Sequence, residues 1–495
     1  MDENRYNEIT PLGHRRALGQ YFTPPAIAAF MTAWACVGAR SMLDPAVGNS
    51  VFLRAARERY PGLLLTGYEL DAGMLDFFGN PADAALVHAD YLRGGWTETY
   101  DAIVCNPPYR RFRSIPERKE LLADVYAHTG VRLSGYTNLC LLFLVKSIAQ
   151  MSERGRLAYI LPSEFLNSRY GEPVKRLLIE RRLLRAVIDV PDDAGLFADA
   201  VTTCCILLLD REEKDAAAFC ALTLTEKAVE LGPSRTAAYT ELDPARKWRG
   251  FFAPENGVAR RNLRPVSVFC RVSRGIATGA NGFFCFRRSQ IEQYRLPERC
   301  FTPCVCHAPD VHRPVFTAAD WKALAEADGT AYLLDVTEAD TPELAAYVRQ
   351  GEADGVDRRY LPSKRTLWYS VERKPAAPIW VCSVGRSGLK FVRNRAGAAA
   401  LTTFHGVYVK EEYADDTDLL FGYFLTPTAQ TLLRENRKIL GNGLEKFQPN
   451  DLNTASMLDI ALLTPDDRAA MRRLAADPSP DDIAAMDAIV RRYME

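Results

Sequence analysis

Apolar positions along this chain follow two regimes. Up to about residue 210, short β-branched runs alternate with longer stretches of helical spacing; beyond it the runs are shorter and richer in aromatics and glycine turns. In the first regime, strands are expected at Ser41–Asp44, Leu63–Gly67, Ala85–His88, Tyr100–Cys105, Arg156–Leu161, Leu184–Val190 and Thr202–Leu209, the first and fourth of them buried. Helices are expected over Val51–Arg59, about Asn138–Met151 and about Glu172–Arg181. Such alternation is the mark of an α/β domain with a mostly parallel sheet.

The first strand runs into Pro45-Ala46-Val47-Gly48-Asn49-Ser50 and then a helix. That is the opening unit of a doubly wound sheet, where a ligand lies across the strand's carboxyl end. With Gly48 its only glycine, the turn is not the dinucleotide fingerprint. Residues 1–18 are polar and expected to be loose. Thr23 before Pro24 reads as a hydroxyl cap and a first-turn proline.

Residues 210–249 are charged and mixed in pattern, and the domain boundary is placed there, giving domains 1–240 and 241–495. The second domain, with runs such as Val272–Phe286, Ala377–Val384 and Leu401–Val409, is expected to be α+β. Its tail carries two matching helix starts, Thr464-Pro465-Asp466-Asp467 and Ser479-Pro480-Asp481-Asp482.

Composition changes this picture little. The 495 residues are 48% hydrophobic and 25% charged, ordinary for a globular chain of two domains. The start of the chain lacks the basic-then-apolar order of a signal peptide and no run is long enough to span a membrane, so a cytoplasmic location is expected. The 12 cysteines are scattered as packed thiols would be, and Cys300, Cys304, Cys306 and His307 lack the spacing of a zinc site, so no metal is expected. Net charge is zero, but arginine and lysine exceed the acids over 260–299 and 358–395. A basic surface confined to the second half suggests a local polyanion site, although each run alone reads equally well as a solvated face.

Chemistry concentrates at the strand ends. The run Tyr100–Cys105 stops at Asn106-Pro107-Pro108-Tyr109. Proline has no N–H and a fixed φ, so this loop offers a rigid amide side chain, a free carbonyl and an aromatic ring, which together can grip a flat, amine-bearing ring. The three preceding strands end in acids, Asp44, Glu69 and Asp90, the last followed by Tyr91. Glu69 is placed for two ribose hydroxyls and Asp90 for an exocyclic amine. One such acid reads as a cap; three in succession before Asn106 do not.

In this order the motifs resemble those of the γ-class, TaqI-like DNA adenine-N6 methyltransferases of restriction–modification systems. The resemblance is carried by Gly19-Gln20-Tyr21-Phe22-Thr23-Pro24, the strand-end acids and Asn106–Tyr109 over residues 18–210. More loosely it continues through Gly275-Ile276-Ala277-Thr278-Gly279-Ala280-Asn281-Gly282-Phe283-Phe284. It implies a Rossmann-like catalytic domain with a mostly parallel seven-stranded sheet and a C-terminal target-recognition domain. S-adenosylmethionine would be held by Tyr21, Thr23, Asp44, Ala46, Gly48, Glu69, Asp90 and Tyr91, while Asn106, Pro107, Pro108, Tyr109 and Phe197 would hold a flipped adenine. Ser50 stands where the family usually has a glycine. Double-stranded DNA would be the partner, contacted by Arg110, Arg386, Lys390, Asn394, Asn442 and Lys446, by a monomer whose cognate restriction endonuclease, if any, is a separate chain. Asn-Pro-Pro-Tyr is shared with RNA and protein-glutamine methylases, and a DNA-binding subunit without activity is a further alternative.

Overall fold

A computed structural model of the chain describes residues 3–81, 83–109, 115, 117–190, 203–225, 228–252, 261–385, 388–440 and 444–495. The chain divides into two units, residues 1–254 with 439–443, and residues 255–438 with 444–495. The first unit therefore runs past residue 240, because Trp248 and Phe251 pack into its core.

In the first unit the strands are β1 Ser41–Asp44, β2 Leu64–Glu69, β3 Ala85–His88, β4 Tyr100–Cys105, β5 Met151–Pro162, β6 Leu184–Val190, β7 Cys204–Asp210, β8 Ala216–Leu224, β9 Val229–Leu231 and β10 Arg235–Ala238. Its helices are α1 Glu3–Ile9, α2 Leu12–Leu18, α3 Pro25–Ala35, α4 Val51–Arg59, α5 Ala72–Phe78, α6 Arg118–Thr129, α7 Leu139–Ala149 and α8 Glu172–Glu180. Among the described residues these strands form one sheet in the order β3-β2-β1-β4-β5-β7-β6-β8-β10, with β9 beside β8.

The five strands from β3 to β5 are parallel, but β7 runs antiparallel to both β5 and β6. The sheet is thus mixed and ten-stranded rather than seven-stranded, although most of its pairings are parallel. The extra strands come from the stretch read as a charged boundary. Only residues 211–215 separate β7 from β8, too short for a crossover helix, so the chain reverses and β8 pairs parallel to β6.

Both faces of the sheet are buried at its centre, while the edge strand β3 is largely exposed. In β4, Ala102 and Val104 face one apolar cluster while Ile103 and Cys105 face the other, which is why the run is continuously apolar. The stretch 3–18 is not loose: α1 and α2 form, and Tyr6 is buried with its ring 5.8 Å from Phe22 and 5.1 Å from Phe78. A single buried tyrosine in a seven-residue helix is too weak a stripe to read from sequence.

The second unit contains a five-stranded sheet, ordered Cys270–Arg274, Phe404–Val409, Ile379–Cys382, Phe391–Asn394 and Val315–Phe316, and a smaller four-stranded one. Helices Pro465–Leu474 and Pro480–Arg492 start where expected, with Thr464 and Ser479 accepting from the backbone N–H groups of Asp467 and Asp482. All 12 cysteines are buried free thiols, and among the described residues no group of three His, Cys, Asp or Glu side chains is arranged to hold a metal. No described helix is long and apolar enough to cross a membrane.

Candidate functional site

At the carboxyl ends of β1, β2, β3 and β4 lies a cavity of about 500 Å³. The segment Leu18–Thr23, the Pro45–Asn49 turn, Glu69, the Ala89–Arg93 turn, Asn106 and Pro108 line it, and Leu121, Leu139 and Phe143 give it an apolar wall. Four strand ends converge there because neighbouring parallel strands all end on the same side of the sheet.

The β1 turn is braced by Glu69. Its carboxylate accepts from the N–H of Gly48 at 2.9 Å and from those of Leu70 and Asp71 at 2.9 Å each. Burial still raises its pKa. Gly48 has φ +55° and Ser50 φ +60°, so both lie in the left-handed region. A glycine is the unstrained choice at either position; Ser50 is held there by a hydrogen bond from its hydroxyl to Asn80 Oδ1.

The two effects nearly cancel in Ser50→Gly, which relieves roughly 1 kcal/mol of backbone strain and loses a hydrogen bond of similar worth. Ser50→Ala keeps the strain and loses the bond. In urea unfolding, alanine should therefore be the more destabilising of the two, by about 1 kcal/mol.

Asp44 is fully buried beneath this turn and is not in the cavity wall. Oδ1 accepts from the Ala46 N–H at 3.2 Å, while Oδ2 has no hydrogen-bond partner. Burial pushes its pKa up to about 8, with the Glu69 charge adding to the rise.

Asn106 is the best-defined group of the site. Its Nδ2 donates to the Tyr21 carbonyl at 3.0 Å and to Thr23 Oγ1 at 3.1 Å. A carbonyl only accepts, so these partners set which end of the amide is nitrogen. Oδ1 is left buried without a partner. Thr23 is thus not a helix cap: α3 starts at Pro25 after Pro24, and the Thr23 hydroxyl serves Asn106 instead.

Beside it, Pro107 is buried. Tyr109 lies outside the cavity wall, its ring 5.5 Å from that of Tyr21 and its hydroxyl donating to the Ile160 carbonyl at 3.4 Å. Asp90 caps the short turn Tyr91–Arg93, accepting from the Leu92 N–H at 3.0 Å. The Tyr91 hydroxyl is consumed internally by Ser147 at 2.9 Å and Gln150 at 2.6 Å.

The sequence reading missed Gln20, Tyr68, Phe143 and Glu117, which also line the cavity. Gln20 sits inside a quoted motif and could have been found; Phe143 lies in an apolar helix that looks like any core helix.

Phe197, Arg110, Arg386 and Asn442 lie outside the described residues. In the second unit Lys446 is exposed. Asn394 is not a surface reader. It is buried, with Nδ2 donating to the Ala377 and Ala398 carbonyls at 2.9 and 3.0 Å, because its strand is interior to the sheet. Lys390 donates to the carbonyls of Ala308 and Val311. The basic excess over 358–395 is also partly internal, since Arg393 meets Asp418 at 2.6 Å and Arg373 meets Asp335 at 2.6 Å.

Comparison with known proteins agrees with this geometry. Residues 73–197 match the model of the Eco57I restriction-modification methylase family. Residues 255–487 match that of the C-terminal domain of the type II methyltransferase M.Eco57I. The type II methyltransferase M.AccI of Acinetobacter calcoaceticus is 35% identical, over 93% of this chain and 89% of its own. M.XamI of Xanthomonas campestris pv. amaranthicola is 25% identical over 89% and 85%. Among solved structures, the type IIL restriction-modification enzyme MmeI in complex with DNA superposes with a TM-score of 0.61 over 99% of this chain and 77% of its own, at 12% identity, a likeness of fold. With a relative this similar along nearly its whole length, the chain belongs to the type II DNA methyltransferases of restriction–modification systems.

Proposed function

We propose that this protein transfers a methyl group from S-adenosylmethionine to N6 of an adenine flipped out of duplex DNA. The observation that carries the reading is Asn106 Oδ1, a buried acceptor without a partner on an amide whose nitrogen is already committed. A group so prepared suits an N–H donor, and the exocyclic amine of adenine supplies two.

The cavity fits the cofactor. Its volume suits an adenosyl group with an amino-acid tail, and the Gly48 turn leaves room for backbone approach. On this reading Glu69 holds the ribose hydroxyls, Asp90 and Tyr91 border the adenine, and Tyr21, Thr23, Ala46 and Gly48 border the amino-acid end, with Asp44 acting from beneath the turn. When bound, the cofactor supplies an electrophilic sulfonium methyl.

The chain's own residues do the rest. Asn106 Oδ1 and the Pro107 carbonyl accept the two amine hydrogens of the target, which turns the nitrogen lone pair out of the ring plane toward the methyl. Tyr109, fixed by Tyr21 and the Ile160 carbonyl, offers a preformed stacking face, with Phe197 as the second wall. Stacking worth ~1–3 kcal/mol per base is comparable to the few kcal/mol needed to unstack the target. The recognition half would hold phosphates through exposed cations such as Lys446, and a separate restriction endonuclease and a monomeric state belong to the same reading.

The test is methyl transfer from labelled S-adenosylmethionine to duplex DNA, ribosomal RNA and release factor in parallel, with the modified base identified by mass. N6-methyladenine in DNA is the expected product. Label only in RNA or protein, or none in any acceptor, would overturn the reading.

A further inference from the structure

Helix α7 is apolar along its length except for Lys146 and Ser147, and Lys146 is fully buried. Its ammonium donates to the carbonyls of Tyr91 at 2.6 Å and Gly94 at 2.9 Å. It also sits 4.7 Å from the ring centroids of both Tyr91 and Trp96. Among the described residues no carboxylate lies within ion-pair distance, and two carbonyls and two ring faces stand in for a counterion. Both carbonyls belong to the turn that follows Asp90, and Asp90, Tyr91, Leu92 and Arg93 are cavity wall.

We propose that Lys146 is a positioning residue that clamps the Asp90–Gly94 turn in the shape that receives the cofactor's adenine. The proposal rests on the assignment of this cavity to S-adenosylmethionine. A charge-assisted bond to each end of a short turn fixes both its backbone and the ring of Tyr91. Loss of the ammonium's proton would weaken both bonds and both ring contacts at once.

Burial lowers the lysine pKa to about 8, against the opposing charges of Asp90, Asp124 and Glu98. The other titratable groups facing it are His128, stacked on Trp96, and Tyr68 and Tyr91. Both tyrosines are shifted upward by burial, away from the lysine's range. The sign separates function from stability. Between about pH 8 and 10.5 the unfolded chain keeps a proton that the folded chain has lost, so this lysine makes the fold more stable as pH rises. The cofactor pocket should meanwhile weaken.

The probe is 5′-methylthioadenosine, which carries the adenosyl end but not the titratable α-amino group of S-adenosylmethionine. Calorimetric titration of the full chain should show its affinity falling about tenfold between pH 7 and 9.5 while the melting temperature does not fall in step. Lys146→Met should bind about tenfold more weakly at pH 7, with a flat profile, and Lys146→Arg should restore part of the affinity and stay flat. Lys175→Met is the control. It removes a second buried lysine, bonded to the Leu166 and Arg246 carbonyls away from the cavity, and should keep the wild-type profile.

A Lys146→Met variant that binds like wild type, or that retains the pH dependence, would overturn the clamp. If neither Lys146 variant folds, a flat wild-type profile overturns it, and a fall that persists in Asp44→Asn supports it. Failure of the wild-type chain to bind either 5′-methylthioadenosine or S-adenosylmethionine would instead overturn the cofactor assignment, and the clamp with it.

Discussion

Asn106→Ala is expected to lower methyl transfer to DNA by about 10²–10³-fold, the usual effect of deleting one preorganised group that acts on developing charge. DNA affinity should be unchanged, because nothing in the recognition half is altered. Cofactor affinity should fall by no more than about tenfold, reflecting two neutral hydrogen bonds lost from the loop that carries Tyr21 and Thr23. The effect should thus appear in kcat, as befits an interaction made with the reacting amine rather than with the bound ground state.

Asn106→Asp separates acceptor from brace. It keeps an acceptor toward the amine but turns an oxygen toward the Tyr21 carbonyl, so turnover should lie between that of wild type and alanine. Single-turnover rates with labelled cofactor, read beside equilibrium binding of DNA, check both variants. Alanine turnover near the wild-type rate would contradict the role given to Oδ1.

Much of the catalytic half was legible because β1 to β4 are apolar runs closed by residues that cannot continue a buried strand. Asp44, Glu69 and the Asn106–Pro108 stop mark three of those ends in both sequence and structure. What was not legible depended on partners far along the chain. Thr23 looks like a cap in isolation, and only the approach of Asn106, 83 residues away, turns its hydroxyl to another use. Asn394 looks like a base reader until Ala377 and Ala398 close around it. Strand β8, rich in alanine, has weak strand propensity and is recruited by the edge that β6 presents. Lys146 carried a signal that was passed over, a lone cation within an apolar helix.

Asp44→Asn should make the ligand-free protein more stable and the cofactor site worse. With the folded pKa near 8 and the ordinary aspartate value of 3.8 in the unfolded chain, the native state holds a proton that the unfolded chain has already lost between those values. Stability therefore declines as pH rises from about 4 to about 8 and is level beyond. Asparagine keeps the shape and the oxygen that accepts from Ala46, and it cannot ionise. Variant and wild type should accordingly melt together below about pH 4 and diverge progressively up to about pH 8, the variant being more stable there by a few kcal/mol, with roughly 6 as the ceiling. The same carboxylate is what a cationic ammonium above the turn would stabilise. Binding S-adenosylmethionine should lower the Asp44 pKa, so the wild-type chain should release a proton on binding near neutral pH and Asp44→Asn should not. Calorimetry in buffers of differing ionisation enthalpy measures that proton directly. Equal melting of the two proteins at pH 9 would show that Asp44 does not store this instability, and equal proton release would show that the cofactor does not relieve it.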